Sequence, residues 1–396
     1  MSQTVPSPAA RKLHGQYYTK AAIGKLLVDS LRQDFIRTAI ELGAGQGALI
    51  SAAQGRWPGA KFVSVDIDPR NVPKDMARHR MHYICDALKP DLPSRIGVQE
   101  CSADLALCNP PFALPKWEAR YQHILERAGL PVAGAAPFGA DILFIAQNLW
   151  MLREHGELGV IVPAGLIAGS RNTPIREALL SQHEVHEVVE LPVGAFSSTE
   201  VRTYLLCLQK GKGTRSPIKL RRLGEGGKER PVIEISPSDA ARRMDFSFYE
   251  VFRGPSARSK SAPIEVLRGS LETAVARRLG VKVLHTTDIR SSTMKWVQPK
   301  SSQVPLHAIK AKKSDLLLAR VGRNFYAKLA ILQSPTACIS DCVFAIRSEH
   351  YSPEQLLRAF SSESGQRWLA SRARGACARY ITKEDLQMFP IRAILK

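Results

Sequence analysis

Residues 109–112 read Asn109-Pro110-Pro111-Phe112, directly after the apolar run Leu105-Ala106-Leu107-Cys108. An apolar run that stops at asparagine and two prolines predicts a buried strand ending in a rigid loop. Proline has no N–H, so the backbone there offers carbonyl acceptors. Asn109 adds a side-chain carbonyl, and Phe112 adds a flat aromatic face. Acceptors beside a stacking surface suit a planar group that carries an NH2, such as a nucleobase or an amide.

Three positions upstream extend this pattern. Glu41-Leu42-Gly43-Ala44-Gly45-Gln46-Gly47 follows a short apolar run and opens a helical one. Glycines in such a turn let a ligand approach the backbone closely. Asp66 ends the next apolar run about 20 residues on, where an acidic residue binds two ribose hydroxyls. Asp86 ends the third, in Ile84-Cys85-Asp86-Ala87-Leu88. The turn is not a dinucleotide fingerprint, because Ile50 stands where the third glycine counted from Gly45 would be. No Gly-Lys-Ser/Thr follows, which excludes a phosphate loop. A ligand with a ribose and a base but no phosphates fits best.

These positions need a scaffold that brings strand ends together. Strands are expected at 38–42, 62–67, 81–85, 105–108, 159–162, 185–191 and 204–208. Helical spacing covers 21–31, 48–54, 141–152 and 175–180. The alternation predicts an α/β fold with a mostly parallel sheet and helices on both faces, and ligands then bind beyond the carboxyl ends of the strands. Residues 113–140, rich in Pro, Gly and Ala, read as a variable loop near the site, with Trp117 and Arg120 as candidate substrate contacts.

The chain of 396 residues carries a formal charge of +20. Residues 1–210 hold 22 Lys+Arg against 20 Asp+Glu, a net of +2, and residues 211–396 hold 34 against 16, a net of +18. A neutral half joined to a basic half predicts that the second half meets a polyanion. The seven cysteines show no paired metal-binding spacing, so no metal site is expected. Reduced cysteines, no signal pattern in the polar lead-in 1–12 and no apolar window of membrane length predict a cytoplasmic protein without a membrane role. The most apolar stretch, 142–152, is interrupted by Gln147 and Asn148.

In this order, the motifs resemble those of gamma-class DNA adenine-N6 methyltransferases, which use S-adenosyl-L-methionine. The resemblance covers roughly residues 11–210 and implies a Rossmann-like class I S-adenosylmethionine-dependent methyltransferase domain. It implies that Tyr18 and Thr19, in Gly15-Gln16-Tyr17-Tyr18-Thr19, touch the methionine end of the cofactor. Glu41, Gly43 and Gly45 would surround that end, Asp66 would bind the ribose, Ile67 would pack on the adenine, and Asp86 would bind its amino group. Asn109, Pro110 and Phe112 would be catalytic, and Phe196, in Gly194-Ala195-Phe196, would be a second aromatic near the target base.

The second half is similar to the target-recognition domains of type I restriction specificity subunits. The matching runs are 283–289, 315–322, 338–343, 379–381 and 389–391. This implies a C-terminal α+β domain, with Arg320, Arg323, Asn324 and Lys328 as a DNA-facing cluster. The expected organisation is a flexible N-terminus 1–12, a catalytic domain 13–210, a linker 211–240 with a possible strand at 232–235, and a target-recognition domain 241–396. The implied function is methylation of a flipped adenine in double-stranded DNA by a monomer, with any restriction endonuclease a separate protein. An RNA adenine or a protein glutamine amide presents the same planar NH2 and stays open as an alternative substrate, and a non-catalytic DNA-binding protein on an inactive fold is the alternative of another class.

Overall fold

A computed structural model describes residues 19–71, 80–132, 138–192, 194–196, 201–223, 230–252, 262–297, 304–306, 308–375 and 378–395. The chain divides into two compact units, Met1–Phe246 and Ser247–Lys396.

The first unit is built on a nine-stranded sheet of β1 (Thr38–Leu42), β2 (Lys61–Asp66), β3 (Arg80–Ile84), β4 (Ala103–Cys108), β5 (Leu152–Pro163), β6 (His183–Glu190), β7 (Thr203–Lys212), β8 (Ile218–Arg222) and β9 (Ile233–Ile235). Their order is β3-β2-β1-β4-β5-β7-β6-β8-β9. The strands from β3 to β5 are parallel, and β7 runs antiparallel between β5 and β6. Its helices are α1 (Ala21–Asp29), α2 (Ala48–Arg56), α3 (Leu92–Ile96), α4 (Ala119–Arg127), α5 (Ala140–Met151), α6 (Ala164–Ala168), α7 (Thr173–Gln182) and α8 (Pro237–Arg242).

Burial explains the apolar runs. Every residue of β4 is buried, because parallel strands flank it on both sides. Its one charged member, Asp104, accepts the backbone N–H groups of Arg37 and Thr38 at 2.8 and 2.9 Å, at the entry to β1. Ile23 and Leu27 of α1 and Leu49 and Ile50 of α2 share a core with Leu105, Leu107 and Leu205. Helix α5 is buried on all sides, which accounts for its apolar composition. Its Asn148 is accommodated by donating to Phe144 O at 2.8 Å. Among the described residues no helix is long and apolar enough to cross a membrane.

The parallel sheet, the seven expected strands and the four expected helices (α1, α2, α5 and α7) match the sequence expectations. The short helices α3 and α6 were not expected, and two longer segments differ. Residues 119–127, expected in a loop, form α4; its apolar Tyr121, Ile124 and Leu125 are spaced for one buried helical face. Residues 211–240, expected to be a linker, instead complete the first sheet: β7 reaches Lys212, and β8 pairs in parallel with β6 and antiparallel with β9. The possible strand at 232–235 is β9, while β8, set between glycine-rich, basic stretches, carries too weak a pattern to stand out from a connector.

Arg176 of α7 ties this added segment down. It is completely buried, and its guanidinium donates to Ala241 O (2.9 Å), Arg242 O (2.8 Å), Leu166 O (2.8 Å), Gly169 O (2.8 Å) and Thr173 Oγ1 (2.9 Å). Arg176→Met keeps the volume and strands these buried carbonyls. We expect it to lower the stability of the first unit by about 3 kcal/mol or more, read as a fall in its urea midpoint. An unchanged midpoint would remove Arg176 from this role.

The second unit is α+β, as expected. A five-stranded sheet has the order β10 (Glu265–Arg268), β16 (Val343–Arg347), β13 (Leu316–Ala319), β14 (Leu329–Leu332), β11 (Thr293–Met294), and β12 (Lys310–Lys312) pairs with β15 (Thr336–Cys338). Leu316, Leu318, Phe344 and Ile346 form a core with Phe360 and Trp368 of the C-terminal helices and with Phe389, which follows the helix Lys383–Gln387. The Phe360 and Phe389 rings stack with centroids 3.8 Å apart.

Candidate cofactor and amine-binding site

The sheet of the first unit reverses strand order at β1, which pairs with β2 on one side and β4 on the other. Beyond the carboxyl ends of these strands lies a cavity of about 490 Å³. Its size is that of small-molecule and cofactor sites in general. Strand β1 contributes Glu41 and the glycine turn, β2 contributes Asp66 and Ile67, Asp86 follows β3, and Asn109 follows β4. Parallel strands in register thus carry residues 20 to 68 positions apart in sequence into one site.

The glycine turn adopts left-handed backbone at Gly43 (φ 76°), Gly45 (φ 53°) and Gly47 (φ 76°). A Cβ on Gly43 would lie 3.3 Å from Phe144 Cε1, while L-residues already avoid this φ. Gly43→Ala therefore pushes the turn into the cavity. We expect S-adenosylmethionine affinity to weaken about tenfold or more, measured by calorimetry; an unchanged Kd would show that the turn does not border the cofactor.

Asp66 is buried and holds the turn: its Oδ2 accepts Gly45 N–H at 2.6 Å, and its Oδ1 accepts Asp68 N–H at 2.8 Å and the Asn71 side-chain amide at 3.2 Å. Ile67 beside it is exposed, 57% of its surface open, and borders the cavity as an apolar face. Asp86 accepts Leu88 N–H at 2.9 Å and pairs with Arg120 at 3.0 Å. Burial pushes the Glu41 carboxyl up to about 8. Burial also drives the Cys108 thiol far above its ordinary range, so this cysteine is no thiolate nucleophile.

Asn109 donates from Nδ2 to Thr19 Oγ1 at 3.0 Å. That bond turns the donor edge of the amide toward Thr19 and leaves its carbonyl oxygen to act as the acceptor. Thr19 and Asn109, 90 positions apart, therefore meet. Pro110 is buried, and Pro111 borders the cavity. Phe112 is half-buried against the core that contains Phe196.

Several expectations need correction. Phe196 is 2% exposed within that core, so it has no free face for a base; the apolar neighbours Leu191, Ala195 and Leu205 enclose it. Arg120 pairs with Asp86 and Glu118 inside the first unit and is not a solvent-facing DNA contact. In the second unit Arg320 donates to Asp341 O at 2.8 Å and Lys328 to Thr286 O at 3.2 Å, so both serve the unit's own packing. Arg323 and Asn324 are exposed, and Asn324 accepts from the Tyr326 hydroxyl. Tyr18 and the preceding Gly-Gln-Tyr lie outside the described residues. Asn71, Arg120, Tyr121 and Phe144 were not singled out for the cofactor site, because spacing does not say which face of a helix meets a distant turn.

This sheet order, with one antiparallel strand inserted before the last of the core strands, and this set of strand-end residues define the class I S-adenosylmethionine-dependent methyltransferase fold. Residues 74–247, less than half of the chain, match the family described as N-6 DNA Methylase. The chain is similar to the type I restriction enzyme MpnII methylase subunit of Mycoplasma pneumoniae, 27% identical over 146 residues, which cover 36% of this chain and 27% of that protein. It is also similar to ribosomal RNA large subunit methyltransferase G of Psychromonas ingrahamii, 29% identical over 100 residues, 22% of this chain and 24% of that one. The chain thus spans about a quarter of the length of these relatives. Among solved structures, the type IIG restriction endonuclease BpuSI shares the fold over 96% of this chain and 59% of its own, with a TM-score of 0.54 and 12% identity.

Proposed function

We propose that this protein transfers the methyl group of S-adenosyl-L-methionine to the N6 amine of an adenine flipped out of double-stranded DNA, as the modification enzyme of a restriction-modification system. The observation that carries this reading is the opening of the Asn109 tetrapeptide into the same cavity as the glycine turn, Asp66 and Asp86. The match to the N-6 DNA Methylase family supports it.

The cavity's chemistry fits the cofactor. Asp66 and Asp86 supply acceptors for ribose hydroxyls and an adenine amine, Ile67 an apolar face, and the Gly43–Gly45 turn a close backbone. The bound cofactor supplies a methyl group already activated by a positive sulfur. An exocyclic adenine amine is a weak nucleophile because its lone pair is delocalised into the ring. The Asn109 carbonyl and the Pro110 carbonyl accept its two N–H groups, which favours a pyramidal nitrogen with a localised lone pair. Positioning and fixed dipoles then carry the catalysis. Phe112 offers the exposed part of its ring to the extruded base, and base–aromatic stacking of roughly 1–3 kcal/mol offsets part of the unstacking cost.

The second unit serves as the DNA-recognition part. Residues 247–396 hold 25 Lys+Arg against 11 Asp+Glu, a net of +14. Arg347 pairs with Asp315, Arg374 with Asp385, and Arg372 lies over the rings of Phe248 and Trp368, so these three serve the unit's own packing. Phosphate contacts come from exposed residues, of which Arg323 is one. A cognate restriction endonuclease is a further partner, and the protein works in the cytoplasm as a monomer.

Labelled cofactor incubated with duplex DNA, RNA transcripts and a glutamine-bearing peptide tests the substrate. The expected product is N6-methyladenine in duplex DNA. Label in RNA or peptide alone would replace this reading with one of the other two.

A further inference from the structure

Resting on the assignment of DNA recognition to the second unit, we propose that a cavity within that unit seats one backbone phosphate of the duplex, held by Arg290 and Ser292 beside the charge of Lys328. The cavity has a volume of about 570 Å³ and forms where three parts of the unit meet. Residues 289–292 lead into β11, residues 327–329 lead into β14, and the helices Pro353–Ser361 and Glu363–Arg372 add Leu357, Ser361 and Gln366. Strands β11 and β14 are parallel, with Thr293 opposite Ile331, so their lead-in segments run side by side. Ile331 N–H donates to Ser292 O at 2.8 Å, and Lys328 Nζ donates to Thr286 O at 3.2 Å, which fastens one segment to the other. Gln366 Nε2 donates to Tyr326 O at 2.7 Å and to Phe360 O at 2.8 Å and braces the wall. The seat is built before any ligand arrives.

Its charge has one sign. Arg290 and Lys328 border the cavity, and no carboxylate among the described residues does. Arg290 Nε donates to Thr287 O at 3.1 Å, which fixes the guanidinium, while Nη1 and Nη2 make no hydrogen bond or ion pair with the described residues. The Ser292 hydroxyl is likewise uncommitted, whereas Ser291 donates its own to Thr293 O at 2.6 Å. Two N–H groups of one guanidinium match two oxygens of a phosphate, and a hydroxyl can serve the third. Lys328, tied to Thr286 O, adds charge without moving.

The open side of the cavity favours a phosphate that belongs to a chain. Arg290, Ser291 and Ser292 are exposed, and β11 is the outermost strand of its sheet, so the sugars on either side of a seated phosphate can continue into solvent. The exposed Arg323 and Asn324 stand in the turn that leads to the wall at 327–329. A phosphate held here therefore anchors that turn on the duplex, which is how backbone contacts set register without reading sequence.

Fluorescence anisotropy of the full chain with two labelled duplexes of unrelated sequence, from 50 to 200 mM salt, tests the seat. Arg290→Ala is expected to reduce the slope of log affinity against log salt by about one and to weaken binding about eightfold at 100 mM salt, equally for both duplexes. Arg290→Lys keeps the charge and is expected to keep the slope. Ser292→Asp leaves Arg290 in place, brings a carboxylate into the seat, and is expected to weaken binding further than Arg290→Ala. Lys219→Ala removes one exposed charge from β8 of the first unit and is expected to leave the slope unchanged. A wild-type slope in Arg290→Ala, or an equal fall in Lys219→Ala, overturns the proposal. If Arg290→Ala keeps the slope but loses calorimetric binding of inorganic phosphate, the cavity is a free-anion site instead. A wild-type chain that binds no duplex overturns the proposal together with the DNA reading. The expected slopes without methyl transfer to DNA remove the substrate assignment alone and support this one.

Discussion

Asn109→Ala is expected to lower kcat for methyl transfer by about 10²–10³-fold, roughly 3–4 kcal/mol of transition-state stabilisation. The side chain supplies an acceptor whose value is greatest when the amine pyramidalises and its N–H groups become more acidic. Loss of such an interaction lowers kcat and leaves cofactor affinity nearly unchanged. Asn109→Asp separates this role from a structural one. It preserves acceptor oxygens at the same place, and the Thr19 hydroxyl can donate where it accepted from Asn109 Nδ2 at 3.0 Å. We therefore expect Asn109→Asp to retain activity well above Asn109→Ala. Equal turnover by Asn109→Ala and wild type, with duplex DNA and saturating cofactor, would sink the catalytic assignment.

Removal of residues 253–396 is expected to abolish tight DNA binding and to flatten its salt dependence. The second unit carries a net +14 by composition. If it neutralises about six phosphates, DNA affinity of the full chain falls by about 10³-fold between 50 and 200 mM salt. The truncated chain keeps helix Phe246–Phe252 intact and retains the complete nine-stranded sheet. A cut at residue 210, which the composition alone suggests, would remove the end of β7 with β8 and β9 and damage the catalytic unit itself. Equal salt slopes for the two proteins would show that the first unit, not the second, holds the phosphates.

The two experiments differ in what they perturb. The first changes one acceptor at a strand end and leaves both units intact. The second leaves the cavity residues in place and removes the cations. An enzyme that loses turnover in one and affinity in the other divides its chemistry and its recognition as the charge distribution implies.

Much of the catalytic unit was legible because its signals are local. Apolar runs of strand length end at Glu41, Asp66, Asp86 and Asn109, and the glycines at 43, 45 and 47 mark a turn that needs positive φ. The regular alternation of strand and helix then dictates that parallel strand ends converge. Harder to read were residues whose pattern has more than one structural meaning. An aromatic near a turn can face a ligand or the core, and Phe196 faces the core. An arginine in a basic stretch can meet a phosphate or an internal carbonyl, and Arg320 and Lys328 meet carbonyls.

By itself, the sequence determined the order of the cofactor and catalytic motifs, the α/β class of the first half, and the excess of positive charge in the second. These depend on neighbours along the chain or on composition. Only the tertiary structure decided that residues 211–246 belong to the catalytic unit, that Arg120 is the partner of Asp86, that Thr19 orients Asn109, and that Glu41 lies buried at the cavity. Each of these is a contact between segments distant in sequence. Its energy comes from desolvation and geometry, which no local pattern of residue types encodes.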